Sequence, residues 1–208
     1  MNAPWSEFLR ALGDAGAVTL VGPMHGQTYN PDQPTVFVDG GAQFCGTSCG
    51  GPVVRVGDGD SGKTALDVLL PEAKDFSDLA FALRELPESV TRLKLLGFLG
   101  GRRDHELAVF GEVHAFLRRR AGKAELWQGG ALRVSAFSGG IWMGDLRGGF
   151  SVFVLESAAV SIRGACRYPL AGTLLTPLSS HGLSNWGGGA VEVACERPCF
   201  IVTATDIV

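Results

Sequence analysis

The stretch TVFVDGGA, residues 35–42, and the stretch VVRVGDGDS, residues 53–61, share one pattern. Each is a short valine-rich run that ends at an aspartate beside glycine. A strand that is apolar at every position, and not at every second one, is buried on both faces, as strands of parallel sheets are. AVTLVG (17–22), LDVLL (66–70) and LKLLGF (93–98) have the same character. Helical periods alternate with these runs. Residues 76–86 place Leu79, Leu83 and Leu86 on one face and stop before Pro87. Residues 105–120 place Leu107, Phe110, Val113 or His114, and Leu117 together, with Asp104 at the N-cap position, Arg118 to Arg120 at the far end and Gly122 as the stop. The start, MNAPWSEFLRALGDAG, reads as a short amphipathic helix with Trp5, Phe8, Leu9 and Leu12 on one side. The links 23–34 and 40–52 have no helical period, and at about a dozen residues they are near the minimum for a parallel crossover.

Composition changes near residue 122. Residues 1–125 hold 29 of the 39 charged side chains, while residues 126–208 hold 10, together with 13 glycines. Past that point the chain is a series of short strands broken by glycine. The expected fold class is an α/β N-terminal domain with a mostly parallel open sheet (1–122), followed by a C-terminal all-β sandwich domain (123–208). With 208 residues and 46% apolar side chains, each part can bury a core. A net charge of −3 and the absence of a long basic tract argue against general nucleic-acid binding. No apolar run reaches the roughly 20 residues of a bilayer-spanning helix. The N-terminus lacks the pattern of a signal peptide, and five cysteines, an odd number, point to the reducing cytoplasm.

Acidic residues gather where the N-terminal strands end: Asp39, Asp58 with Asp60, Asp75 with Asp78, and Asp104. In an open α/β sheet the carboxyl ends of the strands form the ligand crevice. Carboxylates meeting there repel one another unless a cation lies between them. Hard oxygen ligands suit Mg²⁺ bound together with a polyphosphate. Gly40, Gly41, Gly57, Gly59, Gly100 and Gly101 would let phosphates approach the backbone.

In order along the chain, V-D-G-G-A (38–42), G-D-x-D-S (57–61), K-D-x-S-D (74–78), G-G-R-x-D-H (100–105), G-A-C-R-Y-P-L (164–170) and G-L-S-N (182–185) resemble the thiamine pyrophosphokinase (thiamine diphosphokinase) family. The resemblance implies a catalytic α/β domain, a β-sandwich that binds thiamine and dimerises, and a homodimer. It implies transfer of the β,γ-pyrophosphoryl unit of ATP to the thiamine hydroxyl, releasing AMP. Carried over motif by motif, Asp58, Asp60 and Asp78 would hold Mg²⁺, with Asp104 also in the catalytic set. Asp39, Ser61, Lys74, Ser77 and Arg102 would line the ATP site, and Tyr168, Ser184 and Asn185 would approach thiamine. The sequence departs from the family in its short interval of 14 residues from Asp60 to Lys74, and in Gly59, Ser77, Val109 and Trp186. Two other readings follow from these departures: a pyrophosphokinase for another hydroxymethyl heterocycle such as a pterin, and a relative that binds nucleotide or thiamine without turnover.

GDGDSGKT (57–64) also fits the G-x-x-x-x-G-K-[ST] pattern of a P-loop. Asp58 and Asp60 oppose that reading, and Pro71 cuts short the helix it requires. Cys45/Cys49 and Cys195/Cys199 have a spacing seen in zinc sites, which His25 or His181 would complete. Small buried cysteines are the plainer reading.

Overall fold

The computed structural model describes residues 2–24, 29–46, 49–61, 64–129 and 132–204. Lys63 and Gly62 of the P-loop pattern, and His25 of the zinc reading, lie outside them. The chain divides into two compact units, Met1–Phe116 with Leu126–Gly129, and Leu117–Glu125 with Gly130–Val208. The division therefore falls within a helix and a strand, and not at a single point near 122.

The first unit opens with helix α1 (Ala3–Leu12), which buries Trp5, Phe8 and Leu12 and ends at Gly13. Strands β1 (Ala17–Val21), β2 (Thr35–Val38), β3 (Val53–Gly57), β4 (Val68–Leu69) and β5 (Arg92–Leu96) follow in the sequence. Their order in the sheet is β4-β3-β2-β1-β5, and each of these neighbouring pairs is parallel. All four residues of β2 are buried, as an interior parallel strand requires. The run at 66–70 yields only a two-residue strand. The link after β2 is a 3-10 turn, Asp39–Phe44, and not an α-helix. Helix α2 (Asp78–Glu85) begins at Ser77, whose hydroxyl accepts the Ala80 N–H at 3.1 Å. Helix α3 (Arg103–Arg119) begins earlier than expected, so Asp104 lies in its first turn. Its buried positions are Val109, Val113, Phe116 and Leu117, while Leu107 is exposed.

Strand β6 (Lys123–Gln128) crosses from one unit to the other. The second unit continues with β7 (Leu132–Phe137), β8 (Gly140–Val154), β9 (Ala158–Cys166), β10 (Leu170–Leu175), β11 (Asn185–Cys195) and β12 (Cys199–Ala204). They pair antiparallel in the order β10-β9-β11-β8-β12-β7. The all-β expectation holds for this part of the chain; its strands form one continuous ladder and not two separate sheets.

That ladder is bent. Cys195 pairs with Gly140 and Cys199 with Val154, at opposite ends of β8. Straight, β8 would separate those ends by about 46 Å, whereas four residues and two strand spacings reach only about 25 Å. β8 must therefore curve strongly. It changes its neighbour at Phe150, where both Asn185 and Thr203 are in register. The curve includes a crossing made of glycine, where Gly148, at φ 113°, faces Gly187; on the other edge of β11 the pairing with β9 shifts register between Gly187 and Val191. Phe150, Val152, Val154, Val160, Ile162, Val193, Cys195 and Ile201 share the single core that the doubled sheet encloses.

Candidate active site

Two adjacent parallel strands place the first carboxylates. Val38 of β2 pairs with Val56 of β3, so Asp39 and Asp58 leave the sheet at neighbouring strand ends. The chains come so close here that a Cβ on Gly57 would stand 3.0 Å from Asp39 Cα and 3.5 Å from Asp78 Oδ2. No other residue fits without displacing one of them. Asp39 itself is held at φ 52°, a left-handed conformation that non-glycine residues seldom adopt.

Carboxylate oxygens of Asp39, Asp58 and Asp60 all lie within 4.8 Å of one another. This is the one group of potential metal ligands among the described residues. Three hard oxygen donors converging at that range fit a divalent cation such as Mg²⁺. Local hydrogen bonds set the loop: the Asp60 N–H donates to Asp58 Oδ1 at 3.3 Å, and the Ser61 hydroxyl to Asp60 Oδ1 at 2.9 Å.

Asp78, read from the motif as a metal ligand, has a different partner. Lys74 Nζ lies 3.1 Å from Asp78 Oδ1 and 2.7 Å from Asp58 Oδ2, and the lysine side chain is only 8% exposed. Burial pulls the Lys74 ammonium down, but its two carboxylates outweigh this and leave it raised. The Lys74 hydrogen bond holds the Asp58 carboxyl below its ordinary value. Burial raises that of Asp78, and the charges of Asp58 and Asp39 add to the rise. Lys74 is thus an internal counter-ion for two aspartates.

A cleft of about 160 Å³ adjoins this group, lined by Asp39, Gly40, Ala42, Gln43, Gly59, Ser61, Thr64 and Leu66. Gln43, Thr64 and Leu66 were not singled out from the sequence. Gln43 lies inside a link with no period, and Leu66 reads there as a strand residue. Thr64 belongs to the P-loop string, but β4 follows it where a P-loop needs a helix.

The other expected residues divide. Ser77 caps α2. Arg102 and Asp104 pair with each other at 2.5 Å, and both are largely exposed; Arg102 holds the Asp104 carboxyl at about 2. Among the described residues no hydrogen bond or ion pair joins them to the acidic group. In the second unit, Asn185 is buried and its amide makes three hydrogen bonds to backbone. Its Oδ1 accepts the N–H of Tyr168 at 3.0 Å and of Trp186 at 2.8 Å, and its Nδ2 donates to Tyr168 O at 2.7 Å. Asn185 therefore fixes the Tyr168 backbone. The Tyr168 ring is 53% exposed, with the Arg167 guanidinium 5.4 Å from its centroid. Ser184 is exposed at φ 57° and its N–H donates to Ser151 Oγ at 3.1 Å.

A thiamine pyrophosphokinase from Bacillus subtilis superposes with a TM-score of 0.67 at 20% identity, over 92% of this chain and 100% of its own. The chain has the thiamine pyrophosphokinase fold. A thiamin pyrophosphokinase from Candida albicans gives a TM-score of 0.68 at 12% identity, over 94% of this chain and 92% of its own. A protein from Lactobacillus plantarum gives 0.68 at 24% identity, over 92% and 100%. No protein-family model and no curated protein sequence matches the chain.

Replacing Lys74 by methionine leaves Asp58 and Asp78 without their counter-ion. Denaturant unfolding of Lys74→Met at pH 7 should show a loss of about 3 kcal/mol. The sign with pH follows from Asp58. Its folded value is lowered by Lys74, so that stabilisation is present above the unfolded value of 3.8 and is lost as pH falls through the folded one. Without Lys74 the carboxylates favour protonation instead, so the gap between wild type and variant should narrow as the pH is lowered toward 4. In the second unit, Asn185→Ala strands three backbone groups and should cost about 3 kcal/mol in the same measurement.

Proposed function

We propose that this chain transfers the β,γ-pyrophosphoryl unit of ATP to the hydroxyl of thiamine, giving thiamine diphosphate and AMP. The observation that carries the reading is the convergence of Asp39, Asp58 and Asp60 at the strand ends of a parallel sheet, in a chain with the fold of thiamine pyrophosphokinases. These three aspartates are the residues that would hold Mg²⁺. When bound there, the ion neutralises polyphosphate charge and draws electron density from the bond that breaks.

The chain's own residues supply position and charge, which are most of what phosphoryl-type transfer requires. The cleft beside Asp39 has room for the phosphate end of a nucleotide, and Gly40 and Gly59 expose backbone to it. Lys74 keeps Asp58 in place and offsets the charge of Asp78. One of the carboxylates of the group accepts the proton that the thiamine hydroxyl gives up. Arg102, exposed and, among the described residues, ion-paired with Asp104 alone, can exchange that partner for a phosphate oxygen. In the second unit, the exposed ring of Tyr168 offers a face to the cationic thiazolium of thiamine, and Asn185 holds its backbone for that purpose. The reading includes a homodimer, with the exposed Ile141 and Met143 of β8 as apolar surface for it to cover, and a place in the cytoplasm.

The deciding assay is AMP release from Mg-ATP by the purified protein, with and without thiamine, the product identified by mass. AMP that depends on thiamine, with thiamine diphosphate as co-product, is the expected result. Asp60→Asn should lower that turnover by about a hundredfold or more while unfolding as the wild type does, because Asp60 is exposed and takes no part in a core. AMP formation with a pterin alcohol and not with thiamine would transfer the reading to that acceptor. No AMP with either would overturn it in favour of a binding protein.

A further inference from the structure

The C-x-x-x-C pattern at Cys45 and Cys49 has no part in the proposed chemistry, yet the fold brings its thiols together. Both sulfurs lie 3.8 Å from one atom, the Gly46 carbonyl oxygen. Both are free thiols and both are partly exposed. Tyr29 braces them from the other side. Its hydroxyl is 3.8 Å from Cys49 Sγ, donates to Phe44 O at 3.5 Å and accepts the Gly46 N–H at 3.1 Å. Burial, together with the neighbouring Cys49, pushes the Cys45 thiol up. The second pair in the chain is a contrast: Cys195 and Cys199 are 4% and 0% exposed in the core of the β unit, out of reach of a reagent in solution.

We propose that Cys45 and Cys49 are a dithiol–disulfide site, oxidised reversibly by small-molecule disulfides, whose closed state locks the C-terminal end of the Asp39–Phe44 turn. In the first step one cysteine thiolate attacks a sulfur of the reagent, forming a mixed disulfide and expelling one small thiolate. In the second, the other cysteine thiolate attacks the protein-bound sulfur, closing the 45–49 bond and expelling the second small thiolate. The two thiol protons end on the expelled thiolates, and two electrons pass from the protein dithiol to the reagent. The reverse sequence reopens the bond. Transient disulfides of this kind are the form expected of a protein in a reducing compartment.

The place of the pair gives the bond its consequence. Cys45 is the residue that ends the 3-10 turn, its N–H donating to Ala42 O at 3.2 Å. The bond would anchor the residue that follows this turn, and the turn itself carries Asp39, Gly40, Ala42 and Gln43 of the cleft wall. The inference stands apart from the reaction proposed above and does not need thiamine or ATP.

The test equilibrates the folded full-length protein in mixtures of reduced and oxidised glutathione, quenches with acid, alkylates after unfolding and maps the peptides by mass. As the oxidised share rises, the peptide holding both cysteines should become two hydrogens lighter and refuse alkylation, while Cys195 and Cys199 still alkylate. Cys49→Ser should instead trap one glutathionyl group on Cys45. Amide hydrogen exchange over residues 42–46 should be several-fold slower in the disulfide form than in the dithiol form. The proposal is overturned if the peptide stays reduced throughout, if it takes up two separate glutathionyl groups, or if Cys195 and Cys199 oxidise first. Unchanged exchange over 42–46 would remove the lock.

Discussion

The ammonium of Lys74, set between Asp58 and Asp78, is the interaction on which the acidic end of the parallel sheet depends. Strands β2 and β3 and the start of α2 bring four aspartates to one place, and burial raises the cost of each additional negative charge there. Lys74 answers for two of them within the chain. It is 8% exposed and contacts both at ion-pair distance, so its charge is committed to the protein. Among the described residues Asp39 and Asp60 receive no such partner, and with Asp58 they are the carboxylates whose oxygens converge. Asp58 belongs to both sets, one oxygen on Lys74 and the other taking the Asp60 N–H. The site is therefore neutralised by its own lysine at Asp58 and Asp78, while the oxygens of Asp39, Asp58 and Asp60 stay gathered within 4.8 Å of one another.

That division explains which parts of the site were legible in the sequence. The aspartates at the ends of β2 and β3 were, because valine runs mark buried parallel strands and such strands end at the crevice. The convergence of Asp39 with Asp58 and Asp60 follows from adjacency and register, which a sequence does not print. The family resemblance implies a nucleotide role for Asp39 and a metal role for Asp78. The structure shows Asp39 among the converging oxygens and Asp78 facing Lys74. The difference lies in a side-chain contact, Lys74 to Asp78, between residues four apart where α2 is just beginning. Ser77 has a local use that a serine before an apolar helix commonly takes: its hydroxyl caps α2 by accepting the Ala80 N–H. Arg102 and Asp104, two residues apart, meet each other first.

In the second unit the all-β character was plain from glycine-broken short runs, but the long-range shape was not. No pattern in GIWMGDLRGGFSVFV announces that one strand serves two neighbours. The curvature emerges only when the four residue steps from Cys195 to Cys199 are set against the fourteen steps between their partners, Gly140 and Val154, on β8. The glycines at 144, 148 and 149 mark where curvature is permitted, and the ladder shows that it is used. Asn185 is the same lesson at the scale of one side chain. Its buried amide satisfies three backbone groups at once, so its contribution to any ligand passes through Tyr168.

Asp39 adds an argument that convergence alone does not. A left-handed non-glycine residue costs on the order of 1–2 kcal/mol, and glycine at the same point would avoid it. Glycines stand at 40 and 41, immediately beside it, so the turn has the conformational freedom it needs one residue later. The strain at 39 is accordingly not a requirement of reversing the chain. It is what aims a carboxylate, leaving the end of β2, toward Asp58 and Asp60 while its Cα stays packed against Gly57. A backbone held off its preferred geometry to direct three acidic groups at one another is unfavourable twice over, in strain and in repulsion. On the proposed reading both costs are offset together when a cation occupies the space between the oxygens, so that the strained φ and the charge cluster serve one binding function.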